Sequence, residues 1–194
     1  LLFYKRQIQT EKKRLIKEGK IKKEKPLPEI AEDEIPFDIP GSWKWVRVAQ
    51  IVTLNPKNDL ADDLETSFIP MSCVMDGFRN QHTFEIKLWK DIKKGFTHFA
   101  EGDVGVAKIT PCFQNRKSVI FRNLKNGYGA GTTELTVVRT INDTVLPEYL
   151  LWLFKTEYFI AKAPQTFFYK DILELYERAR QDVSFPSWSP YLIK

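Results

Sequence analysis

The chain has 194 residues, of which 43% are hydrophobic and 13% aromatic, a composition that indicates a folded protein with a core and excludes a largely disordered chain. Lys and Arg outnumber Asp and Glu by 30 to 25, and the resulting net charge of +5 permits an anionic partner such as nucleic acid. With two cysteines, two histidines and no CxxC pair, neither a disulfide framework nor a zinc site is indicated, and no apolar run predicts a membrane span, so we expect a reducing cytoplasm.

The first 18 residues carry a helical pattern with a narrow apolar stripe. Charged residues fill most other positions, which is typical of a helix that packs along a partner helix. Gly19 is the predicted end of this helix. An isolated helix of this length is marginal in water, so the stripe predicts contact with a helix of this chain or of another subunit. The stripe residues are Leu1, Tyr4, Ile8 and Leu15.

Residues 20–34 have the composition of an extended linker. A basic cluster is followed by Pro26, Pro28 and an acidic cluster, with no apolar periodicity. We therefore expect residues 1–34 to form a coiled-coil-like helical spacer with a Pro-rich linker. A globular domain is predicted to begin at Ile35.

From residue 35 onward, short apolar runs rich in β-branched and aromatic residues alternate with Gly, Asn and Pro. The connections are too short and polar for repeated crossover helices, which favours a mostly antiparallel, twisted sheet. Together with the helices predicted below, this indicates an α+β fold. The predicted strands are residues 43–51, 67–72, 102–109, 117–122 and 133–139.

Two helices are predicted in the last third of the chain. The first covers residues 146–160, with Pro147 in its first turn and Leu150, Leu151, Phe154 and Tyr158 at helical spacing. The second covers residues 171–181, where Asp171 and Glu174 form a capping-box pattern. We expect residues 35–160 to be the globular domain and residues 161–194 a divergent C-terminal helix with an irregular tail.

One candidate catalytic set is present. Asp76, Glu85 and Lys87 follow the D…ExK spacing in which two carboxylates hold Mg²⁺ and a lysine assists a water nucleophile. Such a spacing also arises by chance in charged sequences, and Asp76-Gly77 is equally suited to an ordinary turn. A magnesium-dependent nuclease therefore stays open as an alternative.

The run GYGAGTTE, residues 127–134, offers glycine N–H groups that could cradle a phosphate. It lacks the Gly-Lys-Ser/Thr ending of a nucleotide-binding loop and leads into a strand, which favours a flexible turn. Contact with a nucleic-acid backbone through Thr132 and Thr133 remains open. Motifs for adenine methylation, cofactor binding or a nucleophile elbow do not occur in the sequence.

Several loops are rich in Lys, Arg and Thr, which contact phosphates, and in Asn and Gln, which read base edges. A solvated face with ordinary salt bridges is the competing interpretation. The sequence leaves open whether Phe113, inside one of these loops, lies in the core or contacts DNA. The candidate DNA-binding residues are Arg79, Asn80, His82, Lys90, Lys93, Lys94, Lys108, Thr110, Gln114, Asn115, Arg116, Lys117, Thr132 and Thr133.

Six stretches in conserved order identify a resemblance. They are LIKEGKIKKEKPLPEI, EIPFDIPGSWKWVRVAQI, FIPMSCVMDGF, IKKGFTHFAEGDVGVAKITPCFQNRKSVI, GYGAGTTELTVVR and LPEYLLWLFKTEYF. Together they resemble the specificity subunit of type I restriction-modification systems, over residues 12–160. The block from Ile92 to Ile120 is the most specific part of the match.

The resemblance implies a target recognition domain that binds one half of a bipartite double-stranded DNA sequence and is attached to a long coiled-coil helix. That helix would dock methylation subunits, which carry S-adenosylmethionine, and restriction subunits using Mg²⁺ and ATP would join the complex. The specificity subunit itself would be non-catalytic and hold no cofactor.

The family pattern is incomplete in this chain. A full subunit of the family has two recognition domains, whereas this chain has room for one, and the match is lost after Ile160. We therefore expect a fragment, a half-length subunit or a homodimer, or a rearranged product. A degenerate protein-interaction module that no longer binds DNA is the remaining alternative.

Overall fold

The computed structural model describes residues 2–21, 29–30, 32, 35, 38, 45–142, 145–162 and 184–186. Its helices are α1 (Leu2–Lys17), α2 (Val48–Ile51), α3 (Trp89–Ile92), α4 (Pro147–Phe154) and α5 (Glu157–Lys162). Its strands are β1 (Trp45–Arg47), β2 (Val52–Leu54), β3 (Glu65–Ile69), β4 (Glu85–Leu88), β5 (Thr97–Ala100), β6 (Val104–Ala107), β7 (Ser118–Ile120), β8 (Tyr128–Gly131), β9 (Leu135–Thr140) and β10 (Ser184–Pro186). Helices and mostly antiparallel sheets confirm the α+β prediction. None of the helices in this part of the chain combines the length and hydrophobicity that crossing a membrane requires.

The first sheet has the strand order β2-β9-β6-β7 and is antiparallel throughout. Its central strands are apolar on both faces, because each face packs against a different cluster. Val106 and Val138 point into the larger cluster, which includes residues of α4. Val119 and Val137 point into a second cluster, shared with the other sheet. The first sheet therefore lies between the helices and the second sheet.

The second sheet has the order β4-β3-β8-β5, and only its β3–β8 pair is parallel. Strand β8 occupies the glycine run that was predicted to be a flexible turn, so that prediction is wrong. A Cβ atom on Gly129 would lie 2.3 Å from the Phe99 ring and 2.3 Å from the Ser67 carbonyl oxygen. The glycines let two backbones and an aromatic ring approach closely, which is a packing role within a strand.

Helix α1 ends where the sequence predicts. Gly19 follows it with φ +69°, and Lys20 N–H donates to the Leu15 carbonyl at 2.9 Å, which closes the helix end. Ile8 is 8% exposed and belongs to the larger core cluster. The apolar stripe of α1 is thus used, at Ile8, within this chain.

The prediction of one continuous helix over residues 146–160 is wrong, because α4 and α5 are separate. Pro147 starts α4 as expected, and Leu150, Leu151 and Phe154 are buried against the first sheet. The chain leaves α4 at Lys155, and Thr156 Oγ1 accepts a hydrogen bond from Phe159 N–H at 3.1 Å, which caps the start of α5. The helix predicted for residues 171–181 lies outside the described residues.

Other strand predictions are partly corrected. The single strand predicted over residues 43–51 is, in its described part, β1 followed by the helical turn α2, and β2 begins only after it. Strands β4 and β5 were not predicted, and β10 pairs antiparallel with β1 in a segment expected to be irregular. These strands are only three or four residues long, so they carry little periodic signal.

Candidate functional site

Three of the predicted polar segments lie at one edge of the fold, which we call the loop edge. They are residues 76–82, between β3 and β4, residues 108–117, between β6 and β7, and residues 132–134, between β8 and β9. Strands β3 and β8 run parallel, so their carboxyl ends leave the second sheet at the same side. The loop that follows strand β6, residues 108–117, lies at that side as well, because Asn115 in this loop is hydrogen-bonded to Gly77.

Direct hydrogen bonds join the first two segments. Gly77 N–H donates to the Asn115 carbonyl at 2.8 Å. Lys117 Nζ donates to the carbonyl of Met71, just upstream of the first segment, at 3.1 Å. One N–H group of the half-buried Lys117 is therefore used in a hydrogen bond that holds the two loops together.

The third segment joins the second through the backbone. Lys108 N–H donates to the Glu134 carbonyl at 2.9 Å. Thr132 Oγ1 accepts from Glu134 N–H at 3.2 Å, which stabilises the turn, whereas Thr133 is exposed. The backbone of Lys108 thus lies beside the turn that carries both predicted threonines.

A buried lysine that the sequence reasoning missed ties the loops to the helices. Lys155 has no exposed surface, and its Nζ donates to the carbonyls of Gly77 and Arg116, each at 2.8 Å. Burial, together with the positive charge of Arg116, lowers the pKa of Lys155 to about 8. A lysine inside the apolar run LLWLFKTEYFI was the available signal.

Arg116 is largely used inside the protein. Its side chain is 19% exposed, its Nε donates to the Lys155 carbonyl at 3.0 Å, and its guanidinium pairs with Glu157. The same guanidinium lies over the Phe78 ring, with its central carbon 5.2 Å from the ring centroid. Contact between Arg116 and DNA stays a prediction, and little of the side chain is accessible for it.

Phe113 lies in the core rather than on the surface. It is 6% exposed, belongs to the larger cluster, and its ring centroid is 5.8 Å from that of Phe159. The buried ring anchors the middle of residues 108–117. Thr110, Gln114 and Asn115 around it are exposed, so their side chains are free to meet a ligand.

Asn80 and His82 cover the open edge of β7. Asn80 Oδ1 accepts from Ile120 N–H at 2.9 Å, and His82 Nε2 accepts from Arg122 N–H at 3.1 Å. These side-chain acceptors replace a neighbouring strand at an edge of the first sheet. Burial lowers the pKa of His82, which keeps its ring in the neutral form that can accept this bond.

Phe78 and Arg79 form the exposed tip of the first segment. Arg79 pairs with Asp76, and this hydrogen bond lowers the pKa of the Asp76 carboxyl. Phe78 is 64% exposed. Sequence reasoning passed over Phe78; the available signal was its place directly after the Asp76-Gly77 turn, because turns and loops run over the protein surface.

Lys90, Lys93 and Lys94 lie away from the loop edge. They follow β4, whose last residue pairs with Glu65 at the start of β3, and a four-residue strand spans about 13 Å. Lys93 Nζ is 2.5 Å from the Asp62 carboxylate, whereas Lys90 and Lys94 are exposed. The structure does not bring these lysines together with the loops.

The predicted stripe of α1 is only partly described. Ile8 is buried in the core of this chain, and Leu15 is half-buried. Leu1 and the side chain of Tyr4 lie outside the described residues. Their role in a subunit interface stays a prediction.

The candidate nuclease set does not assemble a metal site in the described part of the chain. Asp76 pairs with Arg79, and Glu85 lies 3.4 Å from Lys87, so each carboxylate is paired with its own neighbour. Among the described residues, no group of three or more His, Cys, Asp or Glu could hold a metal ion.

Comparisons with curated sequences and with solved structures both find subunits of type I restriction systems. No family model matches the chain. The chain is 54% identical over 156 residues to the type I restriction enzyme EcoAI specificity subunit of Escherichia coli, and 49% identical over 157 residues to the EcoEI specificity subunit of the same organism. Each match covers 80% of this chain and 26% of the relative, so the chain spans about a quarter of the length of these curated relatives.

Two solved structures share the fold. The HsdS subunit from Thermoanaerobacter tengcongensis aligns with a TM-score of 0.59 at 15% identity, over 78% of this chain and 39% of that one. A chain from a structure of the type I R-M system, solved to explain its assembly and conformational transition, aligns with a TM-score of 0.53 at 16% identity, over 66% of this chain and 33% of that one.

Proposed function

We propose that this chain, a homologue of type I restriction enzyme specificity subunits, is a non-catalytic DNA specificity module that binds one half of a bipartite target. The observation that carries the proposal is the sequence match to two such subunits across most of this chain. The convergence of three polar segments on one edge supports it, because sequence readout requires several side chains on one surface.

Each segment of the chain has its own role in this proposal. Residues 1–34 form a helical spacer that docks the methylation subunits, residues 35–160 recognise DNA, and residues 161–194 are a divergent C-terminal helix and tail. The second half-site is read by another recognition domain or by a second copy of the chain. Restriction subunits join through the assembled complex, in the cytoplasm, and the methylation subunits supply S-adenosylmethionine.

The loop edge supplies two kinds of contact. Gln114 and Asn115 are exposed amides of the type that pairs with adenine in the major groove, and Thr110 can bond a base edge or a phosphate. Lys90 and Lys94 are exposed cations at a distance from these amides, so they fit a role in holding the DNA backbone.

The nuclease alternative is not favoured, because its carboxylates are paired with Arg79 and Lys87 and the relatives are specificity subunits. Incubating the purified chain with plasmid and Mg²⁺ separates the two functions. Cutting that is lost in Glu85→Ala would revive the nuclease.

The decisive experiment begins with the target sequence. Modified adenines are mapped in DNA from cells that carry this chain with its methylation subunit, and binding to the mapped duplex is then measured against a scrambled duplex. Gln114→Ala with Asn115→Ala should lower the discrimination between the two by roughly 5- to 150-fold for each lost base contact. Lys90→Ala with Lys94→Ala should weaken binding to both duplexes and reduce the salt slope by about 0.9 per lost phosphate contact.

A double variant on α1 provides the control. Lys13→Ala with Lys17→Ala also removes two positive charges, from exposed positions of the helix, and it should leave DNA binding by the chain alone unchanged. Binding that does not discriminate the mapped from the scrambled duplex would instead favour a protein-interaction module.

A further inference from the structure

Phe78 is the most exposed large hydrophobic side chain in the described part of the chain, at 64%. Within the three segments of the loop edge, all of which are described, it is also the only large hydrophobic side chain that is exposed. A single exposed apolar residue is ordinary on a protein surface. What distinguishes Phe78 is the rigidity of the backbone that presents it.

The residue before Phe78 is fixed from two directions. Gly77 N–H donates to the Asn115 carbonyl at 2.8 Å, and the Gly77 carbonyl accepts from the buried Lys155 Nζ at 2.8 Å. Gly77 has φ +63°, a left-handed conformation that favours glycine and turns the chain outward. The exposed tip, Phe78 and Arg79, therefore begins directly after a residue whose backbone is held by two hydrogen bonds.

The other side of the tip is fixed as well. Asn80 Oδ1 accepts from Ile120 N–H in β7 at 2.9 Å, which leaves Phe78 and Arg79 between two anchored positions. The Arg116 guanidinium, itself held by the Lys155 carbonyl and Glu157, lies 5.2 Å from the ring centroid of Phe78. The ring is therefore supported on one side and open on the other.

We propose that Phe78 is a wedge that inserts between two base pairs of the bound half-site and bends the DNA there. Unstacking a base step costs free energy, so an inserted side chain must be apolar and rigidly held, and phenylalanine is among the residues that proteins use in this way. This inference rests on the proposed function, because it assigns the ligand of Phe78 within the same DNA-binding edge.

The surroundings favour DNA over a protein partner. Large contiguous apolar patches on a protein surface mark sites for protein partners, whereas Phe78 stands alone among the described residues of the loop edge, where its exposed neighbours include Arg79, Gln114 and Asn115. These residue types contact phosphates and base edges. An isolated apolar ring within such a surface fits insertion between bases.

The test uses the full chain and the mapped target duplex, with 2-aminopurine substituted in turn at each adenine of the half-site and with dyes at the duplex ends. Wild type should raise 2-aminopurine fluorescence at one step and shorten the end-to-end distance. Phe78→Ala should abolish both signals and weaken target binding roughly 5- to 150-fold, with an unchanged salt slope, since no charge is lost. Phe78→Leu should retain most of the bend, because leucine is also an inserting residue.

Trp152→Ala is the matched control, because Trp152 is 49% exposed on α4, outside the loop edge, and its loss should change neither signal. Phe78→Ala that binds and bends DNA like wild type would overturn the wedge alone. Phe78→Ala that keeps these signals but no longer co-purifies with the methylation subunit would assign the ring to a protein contact and overturn it too. Wild type that does not discriminate the mapped from the scrambled duplex would overturn the proposed function, and the wedge with it.

Discussion

At the scale of single residues, Lys155 has the widest influence on the candidate site. A buried ammonium group is costly unless it donates hydrogen bonds, and Lys155 donates to carbonyls of two different loops. The side chain thereby sets the separation of Gly77 and Arg116. The position of the Phe78 tip depends on a lysine that no ligand would touch.

Replacing Lys155 with methionine should lower the free energy of unfolding by about 1–3 kcal/mol, because the carbonyls of two half-buried residues lose a charged donor. Urea denaturation measures the change. Lys90→Met, an exposed lysine replaced in the same way, should stay within about 0.5 kcal/mol of wild type. Equal stability of Lys155→Met and Lys90→Met would mean that the two bonds contribute nothing net.

The pKa of Lys155 gives a second readout. Burial lowers it from 10.5 to about 8, so between these values the unfolded chain binds more protons at this position than the native protein does. The free energy of unfolding should therefore rise with pH in that window, by at most about 1.4 kcal/mol per pH unit. Measured at pH 7.5 and pH 9.5, Lys155→Met should lack this rise.

At the scale of elements, strand β8 shows how close packing can override the usual composition of a strand. It lies between β3 and β5 in the second sheet, although three of its four residues, Gly129, Ala130 and Gly131, have only a methyl group or no side chain. Those glycines make room for the Phe99 ring, which stacks on Phe121 with 3.8 Å between centroids. The sheets meet through these rings.

Gly129→Ala should destabilise the protein by about 3 kcal/mol or more, because the new Cβ would lie 2.3 Å from the Ser67 carbonyl oxygen, a backbone atom of the neighbouring strand. Gly105→Ala should cost less, since its close contacts are all with side-chain atoms of the Phe121 ring and none is with a backbone atom. Thermal unfolding of the two variants compares them. A cost at Gly105 that equals or exceeds the cost at Gly129 would contradict this explanation.

At the scale of the whole molecule, both histidines of the sequence serve as neutral hydrogen-bonding groups inside the fold. His98 Nδ1 accepts from Asn58 N–H at 3.2 Å, and its Nε2 lies 2.9 Å from the Lys93 carbonyl. His82 accepts from Arg122 N–H. Burial lowers the pKa of both rings.

Stability should therefore fall as the pH is lowered from 7.5 to 5.5. Below about pH 6.5 the unfolded chain protonates its histidines while the native protein resists, so the free energy of unfolding decreases until the pH reaches the native pKa values. Each histidine contributes at most about 1.4 kcal/mol per pH unit, less for the half-buried His82. Urea denaturation across this range, above the titration of ordinary carboxyls, measures the loss.

The double variant His82→Gln, His98→Asn is the control for this prediction. Glutamine has an acceptor oxygen at about the reach of Nε2, and asparagine has one at about the reach of Nδ1, so the bonds from Arg122 N–H and Asn58 N–H can persist without a titrating group. The contact of His98 Nε2 with the Lys93 carbonyl is lost, which lowers the stability of the variant equally at every pH in this range. Its stability should be nearly flat between pH 7.5 and 5.5. A slope equal to that of wild type would assign the acid sensitivity to other groups.

Local patterns in the sequence determined the elements whose signals are local. Gly19 predicted the end of α1 and Pro147 the start of α4, because each acts through its own backbone conformation. Apolar runs predicted β6 and β9, and the order of the sequence blocks indicated the specificity subunits to which the chain proved similar.

Only the tertiary structure decided how the candidate site is built. The bonds that do so join residues far apart in sequence: Lys155 to Gly77 across 78 positions, Lys155 to Arg116 across 39 and Ile120 to Asn80 across 40. The sequence gives the type of each side chain, but tertiary packing decides whether that side chain forms hydrogen bonds to another loop. For that reason the sequence did not show that Arg116, Lys117, Asn80 and His82, which were predicted to contact DNA, also bond to other parts of the chain and hold the loops in place. Their contact with DNA stays a prediction. The exposed side chains at the edge include those of Phe78, Arg79, Thr110, Gln114, Asn115 and Thr133.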